Sequence, residues 1–382
     1  MDKNCVLVTG YDGYIGNALV QRLLKNGYKV VGVDDFSRRK NVLDCGSDSL
    51  FERPSKDVIQ NEFRKFGDFY AYHYGVTEKI STLLEKHRPA TIVNLAHLPS
   101  APFSMISKEH SRYTLENNII STNEVLWGVK EFVPDAHMIF IGSTGEYDHT
   151  IGIDIEEGYT KIESKGRVSN EVIFPRRANS NYHASKISST YLIDYCSRIW
   201  GLRSTDIQQS IVFGAYTDEI DNCGIKSRFD VDESFGTCIN RFIYQAYTGK
   251  PITIFGEGYH KRAFLSLNDS VQALMIAIEN VPNPGTPRVW NQLSDWCSIN
   301  KMAELVTSIA KEFDIETEVK HIESPRKEFT NDHYYNFKTD ILKSFGYKPT
   351  RSVEDEIRYL FQTIDREYID TLNITDEIKT RF

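Results

Sequence analysis

Cysteine is sparse and scattered in this sequence: Cys5, Cys45, Cys196, Cys223, Cys238 and Cys297 show no C-x-x-C spacing and no clustering. That pattern excludes a zinc ribbon or a disulfide framework, and it points to a reducing compartment. No metal site is expected. Excess positive charge is missing as well, since 45 Lys+Arg stand against 53 Asp+Glu for a net charge of -8. A nucleic-acid or anionic-membrane surface needs a basic stripe, so neither partner is expected. No window approaches the roughly 18 apolar residues of a membrane span, and "MDKNCVLVTG" holds only a short apolar run before a glycine turn. Membrane insertion is therefore not expected, and the residence read from these features is cytoplasmic. Internal repeats and low-complexity tracts are also missing.

What is present is a strand-and-helix rhythm over 382 residues, too long for one small core. Short apolar runs, "CVLVTG", "KVVGVDD", "ATIVNLAH", "MIFIGS" and "STDIQQSIVFG", alternate with helical stretches. Strands apolar along their whole length are buried on both faces, and their alternation with helices implies right-handed parallel crossovers. The expected fold is α/β: a Rossmann-type doubly wound parallel sheet with a smaller C-terminal α/β substrate-binding lobe. Residues 1–214 form the Rossmann domain, with a polar hairpin inserted near 148–178, and residues 215–382 form most of the lobe. A segment at about 255–275 is expected to return to the Rossmann sheet. In the first helix Ile15, Leu19, Leu23 and Leu24 make an apolar stripe, and Gly27 is placed to end it.

"VLVTGYDGYIG" sets Gly10, Gly13 and Gly16 between a strand and a helix. Glycines there permit a tight turn and the close approach of a pyrophosphate to a helix N-terminus. The next strand ends in Asp34 and Asp35, where an acid binds adenine-ribose hydroxyls and repels a 2'-phosphate. NAD is thus preferred to NADP. Arg38 and Arg39 are the counter-signal, because an arginine there can hold a 2'-phosphate.

"NSNYHASK" spaces Tyr182 and Lys186 by one helical turn. An ammonium beside a phenol favours phenolate, so the tyrosine can serve as a base near neutrality. Such a pair arises by chance in many helices. It gains weight from "IGSTGEY", a strand ending in Ser143 that puts a hydroxyl at the carboxyl edge of the sheet.

Together these segments resemble the extended short-chain dehydrogenase/reductases of the nucleotide-sugar epimerase and dehydratase group. "SAPFSMI" (100–106), "GEY" after Ser143, "IDIEEGY" (153–159), "NYHASK", "FGTCINRF" (235–242) and "HYYN" (333–336) narrow the resemblance to the UDP-sulfoquinovose synthase family, over about residues 5 to 350. That family uses NAD to convert UDP-glucose and sulfite into UDP-sulfoquinovose, through 4-keto and 4-keto-5-ene sugars. The resemblance implies that Tyr182, Ser143 and Lys186 carry the oxidation at carbon 4, with Thr144 beside them. Glu146 and His183 are the candidates for moving the carbon 5 proton and assisting the departing hydroxyl. It assigns cofactor contacts to Gly10, Gly13, Tyr14, Ile15, Gly16, Asp34, Asp35, Arg38 and Asn118. Substrate contacts fall to Ser104, Gln208, Arg262, Arg326 and Tyr335, the two arginines facing a diphosphate.

Two features depart from the pattern. Serine at 143 stands where plant-type members carry threonine, which keeps the hydroxyl. His97, Leu98 and Pro99 stand where some members carry a more polar or basic run. A standard 4,6-dehydratase is disfavoured, because Thr144 and Gly145 replace its Asp-Glu pair. The alternatives are an NAD-dependent nucleotide-sugar 4-epimerase or other modifier without a sulfite step and, in another class, a non-catalytic NAD sensor, against which the retained Ser143, Tyr182 and Lys186 argue. A homodimer through helices near 105–130 and 182–200 is expected from the same resemblance.

Overall fold

The structure is a computed structural model that describes residues 2–148, 150–223, 225–324, 336–372 and 374. Its centre is a seven-stranded sheet in which every pairing is parallel. Five strands come first in sequence: β1 Asp2–Thr9, β2 Lys29–Val33, β3 Phe69–Tyr72, β4 Pro89–Asn94 and β5 His137–Ser143. The spatial order is β3-β2-β1-β4-β5, then Arg203–Gln209 and Arg288–Gln292. The order reverses between β1 and β4, so the carboxyl ends of these two strands and of β5 border the crevice where open α/β sheets bind ligands. Both faces are covered, which is why Leu7, Val8, Val31, Ile92, Val93, Ile139 and Phe140 are all fully buried.

Helix α1 (Tyr14–Lys25) presents Ala18, Leu19, Leu23 and Leu24 to the sheet. Gly27 ends it with a φ of 77°, and the N–H groups of Gly27 and Tyr28 cap the carbonyls of Leu24 and Leu23. Ile15, expected on the core stripe, is only half-buried and borders the crevice. The helical segment Lys108–Phe132 is interrupted by a π turn at Glu116–Ile120. The polar segment after β5 is a hairpin, pairing Tyr159–Thr160 with Val172–Ile173 and Glu163–Ser164 with Arg167–Val168.

The lobe has its own core around Phe213, Phe242, Phe264, Met302, Ile357 and Leu360. It contains a three-stranded sheet, Ile211–Phe213, Lys261–Ser266 and Asp295–Ser298, and helices Cys238–Tyr247, Ile299–Lys311 and Val353–Thr363. The expected return of residues 255–275 to the main sheet needs correction. The strand Lys261–Ser266 belongs to the lobe. Only the helix Leu267–Glu279 packs back on the Rossmann side, with Leu267, Val271 and Leu274 in its core, and the returning strand is Arg288–Gln292. Among the described residues no helix is long and apolar enough to cross a membrane and no acid, histidine or cysteine cluster could hold a metal. Cys5, Cys196, Cys238 and Cys297 are free thiols.

Candidate active site

One cavity of about 1000 Å³ runs along the crevice from the glycine turn to the lobe. That is at the top of the range of about 300–1,000 Å³ for a single small-molecule site, which suits two ligands lying end to end. At the first end Gly10 has a φ of 74°, and an added Cβ would lie 2.9 Å from the Leu95 carbonyl carbon. At Gly16 it would lie 2.1 Å from the Gly10 oxygen, so strand and helix can meet this closely only without side chains. Gly13, Tyr14 and Ile15 also border the cavity, and the Tyr14 hydroxyl donates to Gly214 O at 2.5 Å. Asp34 accepts from the Asp12 and Phe36 N–H groups at 2.8 and 2.7 Å. Burial, and then the charge of Asp12, push its carboxyl up to about 7. Asp35 is exposed at the rim. Arg38 borders the cavity while donating to Asp230 at 2.7 Å, with its guanidinium 3.8 Å from the centroid of Phe235. A tight glycine turn at a helix N-terminus, with an acid closing the adjacent strand, fits NAD.

Midway, β5 delivers Ser143 and the helix Asn181–Trp200 delivers Tyr182, His183 and Lys186 to the same cavity, with Thr144 beside them. The Ser143 backbone N–H is shared between Glu146 Oε1 at 2.9 Å and Gln208 Oε1 at 3.1 Å. Lys186 Nζ donates to Ile141 O at 2.7 Å and lies 5.9 Å from the Tyr182 ring centroid. Burial lowers Lys186 to about 8, against the pull of Glu146 and Asp206. The expectation that the ammonium pulls the phenol down is not what the structure shows. Burial, then the charge of Glu146, raise Tyr182 well above its usual value, and the Ser143 hydroxyl works in the opposite direction. His183 holds the Ser180 hydroxyl through Nδ1 at 3.1 Å, and its other edge lies over Gly145.

Four expected contacts are turned away from the cavity. Glu146, read as an acid-base group, is fully buried in an ion pair with Arg176 and accepts from Thr190 at 3.2 Å. It accepts from the Ser143 N–H and does not border the cavity. Gln208, fully buried, joins the Ser143 N–H to Asp206, donating to the latter at 2.8 Å. Asn118 grips the loop after β4, accepting from Leu98 N at 2.8 Å and donating to Leu98 O and the Ser185 hydroxyl. Ser104 accepts from Tyr182 N at 3.1 Å, tying down the first turn of the helix Asn181–Trp200.

At the far end Arg262 borders the cavity, as does Arg241, whose guanidinium lies 4.2 Å from the Phe255 centroid and donates to Thr253 O at 3.0 Å. Arg241 stands in the "FGTCINRF" segment, and an arginine on the first turn of a helix was the available signal. Arg326 and Tyr335 lie outside the described residues. Arg176 was missed because nothing local marks it as the partner of a carboxylate 30 positions earlier.

Comparison with known proteins gives a consistent result. The model of the NAD dependent epimerase/dehydratase family matches residues 6–291. The chain is 35% identical over 369 residues to the UDP-sulfoquinovose synthase of Sulfolobus acidocaldarius, covering 94% of this chain and 92% of that one. It is 37% identical over 352 residues to the chloroplastic UDP-sulfoquinovose synthase of Spinacia oleracea, covering 90% and 72%. A UDP-glucose 4-epimerase from Thermotoga maritima, solved with UDP-glucose, superposes with a TM-score of 0.71 at 20% identity, covering 96% and 98%. At that identity the likeness is one of fold.

Proposed function

The chain belongs to the NAD-dependent epimerase/dehydratase family and, within it, to the UDP-sulfoquinovose synthases, and from that premise we propose that it converts UDP-glucose and sulfite into UDP-sulfoquinovose and water. NAD, when bound, would supply the hydride acceptor and donor for carbon 4 of the sugar. Gly10, Gly13 and Gly16 would take its pyrophosphate at the helix N-terminus, and Asp34 would accept from its ribose. Tyr182 takes the proton of the carbon 4 hydroxyl, with Ser143 sharing the hydrogen bond. The resulting ketone acidifies the proton on carbon 5. His183 takes that proton and assists loss of the carbon 6 hydroxyl as water, since Glu146 is sealed away from the cavity. Sulfite adds at carbon 6 of the enone, carbon 5 is reprotonated, and Tyr182 gives its proton back to the carbon 4 oxygen as the ketone is reduced. Arg262 and Arg241 hold the diphosphate by charge-assisted hydrogen bonds.

The observation that carries this reading is the convergence of Ser143, Tyr182, His183 and Lys186 on one cavity with the glycine turn at one end and arginines at the other. Incubation with UDP-glucose and sulfite, followed by mass analysis, tests it. A product in which sulfonate has replaced a hydroxyl supports the reading, and a product of unchanged mass in the galactose configuration replaces it with 4-epimerisation.

The same reading includes cytoplasmic residence and a homodimer. Supporting the latter, Ile120, Trp127, Tyr191, Tyr195 and Ile199 are large apolar side chains left exposed on the helical segments 108–132 and 181–200. Exposed apolar faces of this kind mark association surfaces.

A further inference from the structure

The two arginines after β2 left the choice between NAD and NADP open, and the structure shows where their charges go. Arg39 does not border the cavity. Its Nε and Nη2 both donate to the Asp12 carboxylate at 2.7 Å, its Nη1 donates to Pro54 O at 2.9 Å, and its guanidinium lies 5.1 Å from the Phe36 centroid. Each of the three guanidinium nitrogens thus makes a hydrogen bond. Asp12 is only 2% exposed and also accepts from Arg53 at 2.9 Å. It therefore sits in the glycine turn as a fixed, fully committed anion, and its own N–H binds Asp34.

We propose that Asp12, by clamping Arg39 away from the adenine-ribose site, is a determinant of selectivity for NAD over NADP, acting with Asp34. Asp34 alone is a weak discriminator. Its carboxyl, pushed up to about 7, is partly neutral in the empty site near neutral pH, and a neutral acid repels a 2'-phosphate little. Arg38 borders the cavity with its guanidinium donating to Asp230, and Asp12 holds the second guanidinium, that of Arg39, off the cavity. The inference rests on NAD being the cofactor and is independent of the sulfite step.

Dissociation constants for NAD+ and NADP+, measured by calorimetry on the full chain without sugar, test it. In Asp34→Ser, Arg39 stays clamped and NADP+ does not become the preferred ligand. Adding Asp12→Asn releases Arg39, and the preference shifts toward NADP+ by a further factor of about 10 to 100, the worth of one charge-assisted hydrogen-bonded pair. Adding Arg39→Met to that double variant abolishes the gain. The proposal is overturned if Asp34→Ser alone shifts the preference as far as Asp34→Ser/Asp12→Asn does. Should the double variant bind neither dinucleotide, Arg39→Met in the Asp34→Ser background decides: an unchanged preference supports the clamp, and a weakened NADP+ affinity overturns it. A loss of sulfonated product with these constants as expected would count against the proposed reaction and leave the selectivity proposal standing.

Discussion

Replacing Gly145 by alanine isolates the role given to His183 without touching the imidazole. A Cβ at residue 145 would stand 2.4 Å from His183 Nε2 and 2.9 Å from its Cδ2, whereas ordinary contact begins at 3.4 Å. The ring must therefore withdraw by about 1 Å, the difference between those two distances. Gly145 is not in the left-handed region, so the alanine adds no backbone strain of its own. The Nδ1 contact with Ser180 restrains the ring from swinging freely. A displacement of about 1 Å at a reacting group costs about 100-fold in rate, and that is the loss expected in formation of sulfonated product. Exchange of the carbon 5 hydrogen in heavy water, followed by NMR, is expected to fall in parallel, while NAD+ affinity stays within about 2-fold, below 0.5 kcal/mol. His183→Gln is expected to show the same defect, and the double variant no more than either, because both act on one group. Wild-type turnover in Gly145→Ala, or a loss of turnover matched by an equal loss of NAD+ affinity, refutes the assignment.

Tyr182→Phe is expected to bind NAD+ normally and to lose turnover by about 100-fold or more, the usual worth of a positioned acid-base group; residual activity near wild type would place the proton transfer elsewhere. Arg176→Met leaves Glu146 and Asp206 buried without their cation, and breaking a buried pair costs about 3–5 kcal/mol. Urea denaturation measures it, and a loss below about 1 kcal/mol would show that the pair is not sealed from water. Asp34 gives a pH signature. Its folded carboxyl is raised from 3.8 to about 7, so the free protein holds a proton that the unfolded chain has released. Its contribution to stability is therefore full below 3.8 and is lost as pH rises to about 7. NAD+ binding runs the other way and strengthens through about 7 as the accepting carboxylate forms. Calorimetry at several pH values checks this, and a wild-type profile as flat as that of Asp34→Asn would remove Asp34 from the ribose site.

The parts of this site written in local spacing were legible: the glycine triplet, the acid at the end of β2, the serine at the end of β5 and the tyrosine-lysine turn. Two of the misread residues, Gln208 and Asn118, are one step from a residue that borders the cavity. Gln208 and Gln209 are neighbours on a strand, and alternation sends the first beneath Ser143 and lets the second border the cavity. Asn117 borders the cavity and Asn118 does not, because the π turn at Glu116–Ile120 changes which residue of the helix faces the crevice. Glu146 closes the short turn Thr144–Glu146, whose reversal points its carboxylate back at the Ser143 N–H and inward to Arg176. Periodicity names the element and its end. Side-chain direction at an irregular turn depends on partners such as Arg176, brought in by the hairpin from a distant part of the chain.

Those buried partners also bear on how the tyrosine works. Glu146 and Asp206 share Arg176 and Thr190 beneath the catalytic residues, with Tyr147 and Tyr159 packed around them. Glu146 and Asp206 oppose the loss of charge on Lys186 that burial favours, and Glu146 adds to the burial that raises Tyr182. For a one-way oxidation a raised tyrosine is a handicap, because the base is needed at rest. The proposed cycle ends with its hydride returned, so the group that takes a proton from the carbon 4 oxygen must later give one back. In that cycle the phenolate takes the proton in the first half, and the phenol it becomes returns it in the second. A raised phenol, opposed by the Ser143 hydroxyl, makes the phenolate a stronger base but a rarer resting form, and Glu146 beneath it contributes to that rise.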